Sequence, residues 1–171
     1  FIGFIDNSSN SLYYSDLLDA IKTLYIQNCK SKYSFIYDKV CQYLDNQFSK
    51  NNFCDFKNDK CIANRKGKAA HSTMGCCYSF EYCSFFSPKF IQNIQLCKHL
   101  GNKTCSTSCI TCKLFTCEYL KEKGVKFDTH KILLLRCFFN NKQHHILKTN
   151  FFKTKEEILE NLLKCNSFYC I

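Results

Sequence analysis

Cysteine is the residue here with the most chemistry to offer: 15 of the 171 residues are cysteine, and ten of those lie between positions 54 and 117. The densest stretch is "CSTSCITC", residues 105–112. Cys105, Cys109 and Cys112 stand there in a C-x3-C-x2-C arrangement, and Cys117 follows five residues later. Thiolates are soft ligands. Four of them on one loop-to-helix turn suit a [4Fe–4S] cluster or an all-cysteine zinc site. Zinc sites are usually built from two separated C-x2-C knuckles, and this chain has a single C-x2-C pair, Cys109–Cys112. The expectation therefore tilts to an iron–sulfur cluster on Cys105, Cys109, Cys112 and Cys117. Cys54, Cys61, Cys76, Cys77, Cys83 and Cys97 are candidates for a second metal site. Adjacent Cys76 and Cys77 fit one ion poorly, so some of these six are expected not to be ligands.

Two other uses of cysteine compete. In one, zinc holds a small module that binds nucleic acid or a protein partner. In the other, the chain is a secreted protein stapled by disulfides, which occur at this density in oxidising compartments. The odd cysteine count would leave one thiol over in a fully paired set. A chain of this length can also bury a core without staples. A reducing, cytoplasmic setting is the favoured expectation.

The order Cys76–Cys77, Cys97, Leu100 and Cys105 resembles a bacterial cysteine-cluster family described as zinc- or iron-chelating, which includes flagellin lysine methylases. The family's Tyr and Arg-Pro after the last cysteine are replaced here by "STSCITC". The segment "CITCKLFTCEYL" is similar to uncharacterised cysteine-rich proteins of anaerobic bacteria. These resemblances imply a metal-chelating role in a reducing compartment and assign no reaction. The C-x3-C-x2-C spacing also resembles the radical-SAM loop. Against that reading, Thr111 stands where that family has an aromatic residue, and the residues after Cys112 read as helices rather than as most of a barrel.

The elements that must position these cysteines read as mostly α, a single domain over 1–171 in three parts. Residues 12–49 form a helical pair. Tyr14, Leu17, Leu18, Ile21, Leu24 and Tyr25 recur at helical spacing, as do Ile36, Val40, Tyr43, Leu44 and Phe48. Residues 50–112 are an irregular cysteine-rich middle with weak periodicity. One short helix is expected there, over 88–96 behind Pro88. Residues 113–165 return to helix. "KLFTCEYLKEKG" ends on Gly124 as a C-cap, and Thr154 with Glu157 forms a capping box before Ile158 and Leu159. Ordering the middle costs conformational entropy that its sparse apolar pattern does not offset. Cross-links by metal or disulfide would supply what is missing.

The remaining chemistry is sparse. Cys29, Cys41 and Cys137 fit the ordinary role of cysteine as a small buried hydrophobe, and Cys165 and Cys170 lie at a frayed terminus. His71 and His99 are possible substitutes for a thiolate, while His144–His145 reads as a surface pair on a helix. No P-loop, dinucleotide fingerprint or nucleophile elbow is present, so no catalytic residue is named. The net charge of +10 is spread along the chain. Nucleic-acid binding is compatible with it but not favoured, and "NRKGKAAH" (64–71) is the best basic loop. No apolar run is long enough for a transmembrane segment.

Overall fold

The computed structural model describes residues 7–57, 60–61, 78–80, 94–96, 99–101 and 104–165. Most of them are helical. The helices are α1 (Asn7–Tyr25), α2 (Cys29–Asn51), α3 (Ile110–Leu114), α4 (Glu118–Glu122), α5 (Leu133–Phe138), α6 (Asn141–Thr149) and α7 (Lys155–Leu163). Three short antiparallel ribbons accompany them. They pair β1 (Phe56–Lys57) with β2 (Lys60–Cys61), β3 (Tyr78–Phe80) with β4 (Ile94–Leu96), and β5 (Leu100–Gly101) with β6 (Thr104–Cys105). The register sets Phe56 opposite Cys61, Tyr78 opposite Leu96 and Leu100 opposite Cys105. The mostly-α expectation holds. Among the described residues, no helix is long and apolar enough to cross a membrane.

Packing divides the chain into two units: one of residues 1–44, 109–114 and 128–171, the other of residues 45–108 and 115–127. In the first, α2 is organised by its apolar face. Tyr33, Ile36, Tyr37, Val40 and Leu44 recur every three or four residues, and all are buried. Asn28 starts this helix, its side chain accepting the Ser31 N–H at 2.9 Å. Asn52, at φ 44°, follows its end in the left-handed region that asparagine tolerates.

The C-terminal helices of the same unit carry reciprocal capping boxes. Asn140 and Gln143 bracket the start of α6, and Thr154 and Glu157 the start of α7. Each box satisfies two backbone donors that the first turn leaves open. Gln143 is fully buried and has further duties. Its Nε2 donates to the Tyr33 hydroxyl at 2.7 Å and to the Leu162 carbonyl at 3.2 Å. Lys155 on α7 pairs with Asp38 on α2 at 2.6 Å. Helix α3 packs on α6, and α6 on α7.

In the second unit the described core is small and aromatic. Cys117 and Leu120 are buried against Phe48, Phe53, Cys54, Phe115, Tyr119 and Val125. The rings of Phe48, Phe53 and Phe127 lie within 6.2 Å of one another, centroid to centroid. Tyr119 and Lys123 both donate to the Asp55 carboxylate. Gly124, at φ +78°, ends α4 as expected. Its N–H reaches the Lys121 carbonyl, and the Val125 N–H reaches that of Leu120, the paired bonds of a Schellman motif.

Four expectations need correction. The helix expected over 113–124 is two short ones, α3 and α4, broken at 115–117 where the chain passes from one unit to the other. Residues 94–96, expected to be helical, form β4, because Ile94 and Leu96 take partners on β3. His144, expected in a surface pair, is buried, while Leu17, Leu18, Ile21, Leu24 and Tyr25 of α1, a helix as expected, are exposed. Cys137 is also exposed, because the phase of α5 turns Leu134, Leu135 and Phe138 inward and leaves Arg136 and Cys137 outside.

Candidate functional site

The C-x2-C pair is brought together by one turn of helix. The Lys113 N–H bonds the Cys109 carbonyl at 3.1 Å, wrapping residues 109–113 into an α turn. Positions three apart in such a turn share a face, so Cys109 and Cys112 are neighbours. The turn is pinned from α2, where the buried Tyr37 hydroxyl accepts the Ile110 N–H at 3.0 Å. Burial pushes the Tyr37 phenol well above its usual range, and negative charge on Cys41, Cys109 or Cys112 pushes it the same way. Tyr37 is therefore a neutral hydroxyl that can accept this bond at any physiological pH.

The two sulfurs are not equivalent. Cys109 is only 3% exposed, whereas Cys112 is half-buried. The Cys112 thiol donates to Cys109 and is the largest influence holding the Cys109 thiol down, at about 6. Backbone N–H groups of Cys112, Lys153 and Thr111 act in the same direction, and burial opposes them. When protonated, Cys109 has an acceptor of its own in the Asn150 carbonyl, 3.5 Å away. Several donors against one acceptor favour the thiolate, since a bond to the charged form stabilises it. Cys112 Sγ in turn accepts the Phe152 N–H at 3.4 Å.

That last donor comes from an unusual backbone. Phe152 lies in the turn between α6 and α7 at φ 59°, a conformation uncommon for a bulky residue. It is 49% exposed, and its neighbour Phe151 is 36% exposed. Lys153, the next residue, supplies an N–H to Cys109. One short turn thus serves both sulfurs with backbone donors and carries two exposed aromatic residues.

The other sequence candidates are distributed differently. Cys105 ends β6, and Cys117 lies in the aromatic core just before α4; both belong to the second unit, while Cys109 and Cys112 belong to the first. Cys54 packs against the core that holds Cys117. Cys61 is the last residue of β2. Cys76, Cys77, Cys83 and Cys97 lie outside the described residues, as do His71, Cys170 and the basic loop 64–71. Among the described residues, no three His, Cys, Asp or Glu side chains are grouped to hold a metal ion.

Cys41, Cys54, Cys105, Cys109, Cys112, Cys117, Cys137 and Cys165 are not in disulfides. Cys29 is disulfide-bonded, and none of those eight is its partner. The histidine pair is split: His145 is exposed, but His144 is buried and stacks on His130 at 4.0 Å.

Sequence reasoning missed three participants. Cys41 reads as ordinary core, yet it lies close enough to Tyr37 to act on its phenol together with Cys109 and Cys112. Its i, i+4 relation to Tyr37 on α2 was the available signal. Tyr37 itself falls on the apolar face of α2 and reads as packing. Phe152 has no signal, because nothing in its neighbours requires a left-handed backbone. Comparisons of the chain with protein-family models, with curated proteins and with solved structures find no match.

Proposed function

We propose that the protein works through cysteine thiolate chemistry, as a thiol–disulfide redox protein whose reactive centre is the Cys109–Cys112 pair. The observation that carries this reading is the placement of the two cysteines within a single helical turn, with backbone N–H groups on both sulfurs. Such an arrangement stores one proton between two sulfurs and favours the thiolate, the species that attacks or leaves in disulfide exchange. The reduced centre is a thiolate with a neighbouring thiol, and the oxidised centre is the disulfide between them.

The test is equilibration of the protein against mixtures of reduced and oxidised glutathione, followed by peptide mapping. The expected result is a two-electron transition confined to a peptide linking Cys109 and Cys112. Persistence of both thiols across the whole series would reject the proposal.

A second reading keeps the soft-metal centre, an iron–sulfur cluster ahead of zinc, on Cys105, Cys109, Cys112 and Cys117. It is favoured by the same donors, because a thiolate is also what such a metal binds. Those four thiolates divide two and two between the units, Cys109 and Cys112 in the first and Cys105 and Cys117 in the second. Anaerobic purification with metal analysis and a visible spectrum separates the two readings. A brown protein with stoichiometric iron would favour the cluster.

A further inference from the structure

Disulfide exchange requires an incoming sulfur to approach one sulfur of the pair in line with the bond that breaks. Cys109 is 3% exposed and its sulfur is enclosed by backbone groups from two segments. Cys112 is half-buried and lies against the Phe151–Phe152 turn. Among the described residues, the two rings of that turn, 6.3 Å apart, are among the few large apolar groups left exposed in this unit outside α1. A bulky residue held at φ 59° is rare enough to call for a reason, and such outliers concentrate at functional sites.

We propose that Cys112 is the sulfur that meets the substrate, that Cys109 is the one that leaves, and that the substrate is a polypeptide dithiol with apolar side chains beside its cysteine, received on Phe151 and Phe152. This rests on the redox reading of the pair given above. The step balances within the two partners. A substrate thiolate attacks Cys112 Sγ of the oxidised centre, the Cys109–Cys112 bond breaks, and Cys109 departs as a thiolate into its set of N–H donors. The second substrate thiolate then attacks the substrate sulfur of the mixed disulfide, and Cys112 leaves and takes a proton. The substrate dithiol becomes a disulfide, losing two electrons, and the protein disulfide becomes thiolate and thiol. Enclosed among backbone N–H donors, Cys109 is the sulfur whose departing charge is stabilised, whereas the more exposed Cys112 is the one within reach of a substrate.

The experiment uses the full chain and two model peptides, each with one cysteine pair, flanked by Phe and Leu in one and by Ser and Gln in the other. Dithiothreitol serves as a dithiol without side chains. Single-turnover reduction of the oxidised protein is followed by quenching and mass analysis. The apolar peptide is expected to react about tenfold faster than the polar one, the factor that partial burial of one ring supplies. Phe151→Ser and Phe152→Gly should abolish that preference, bringing the apolar peptide's rate down to the polar one's, with each variant's dithiothreitol rate as the reference for any change in intrinsic reactivity. Glycine accepts the left-handed backbone, so Phe152→Gly does not strain the turn.

Trapping assigns the two sulfurs. With the apolar peptide activated as its mixed disulfide with 2-nitro-5-thiobenzoate, Cys109→Ala should accumulate peptide on Cys112, and Cys112→Ala should not accumulate it on Cys109. Circular dichroism confirms that each variant is folded, and Cys109→Ser replaces Cys109→Ala if the latter is not. Peptide trapped on Cys109 would overturn the assignment, and equal rates for the two peptides would overturn the substrate class. In either case a Cys109–Cys112 disulfide would still form with glutathione, whereas failure of the redox reading itself would appear as no such disulfide.

Discussion

Cys109 and Cys117 are almost equally hidden from water, 3% and 5% exposed, yet they stand in opposite surroundings. Cys109 is wrapped in donors: the Cys112 thiol and three backbone N–H groups all favour its thiolate. Cys117 is packed with Leu120 among the rings of Phe48, Phe53, Phe115 and Tyr119. A buried cysteine of the second kind acts as a small hydrophobe. The first kind is rarer, because burial alone would push the thiol up rather than down. Depth therefore does not decide whether a cysteine is inert; the polarity of the atoms around it does.

The sharpest way to break this contrast is to titrate the thiolate by its ultraviolet absorbance. A step with a midpoint near pH 6 is expected, disappearing entirely in Cys109→Ser and persisting in Cys117→Ser. If Cys117→Ser removed it, the two sites would have been read the wrong way round.

Stability should show the converse. Cys117→Ser places a hydroxyl among aromatic rings and is expected to cost about 1–3 kcal/mol, measured by the urea midpoint at pH 7. Cys109 also makes stability depend on pH. An unfolded thiol keeps its proton up to the ordinary value of 9.0, whereas the folded one releases it near 6. Between these values the unfolded state holds more protons, so this contribution grows as pH rises. It should be complete above about 9 and lost as pH falls through about 6. Cys109→Ser should flatten that part of the profile.

His144 extends the comparison to a base. Burial, with His130 and Lys148 nearby, pulls its imidazole down to about 4 from an ordinary 6.5. The unfolded chain takes up this proton first, so stability should decline as pH drops from 6.5 toward 4. His144→Gln should lessen that decline, as read by urea midpoints across the range. The smallest effect belongs to Cys137, the exposed cysteine of α5. Cys137→Ser is expected to change stability by no more than about 0.5 kcal/mol. A loss of several times that would mean α5 is phased differently.

What could be read from the sequence followed from local rules. The Thr154–Glu157 box, the glycine that ends α4 and the apolar face of α2 each depend on residues within a turn or two of one another. The readings that failed depend on partners far along the chain. His144 reads as a surface residue, but it is buried and stacked on His130, a partner that helical spacing does not supply. Ile94 and Leu96 became a strand because Tyr78 and Phe80 lie across from them. Cys109 and Cys112 were legible as a pair from their spacing alone. Their electrostatic setting was not, since Tyr37, Asn150, Phe152 and Lys153 reach them from other parts of the sequence.

The Gln143 amide has consequences for motion. Its oxygen accepts the Asn140 N–H, and its nitrogen donates to Tyr33 on α2 and to the last turn of α7. Both amide hydrogens are committed, so the group has one acceptable orientation. None of these three helices can shift along its axis without stranding a buried donor. In amide hydrogen exchange, the central residues of α2, α6 and α7 should therefore open together as one cooperative block. Gln143→Glu, which removes the donors while nearly keeping the shape, should let α7 exchange ahead of the other two.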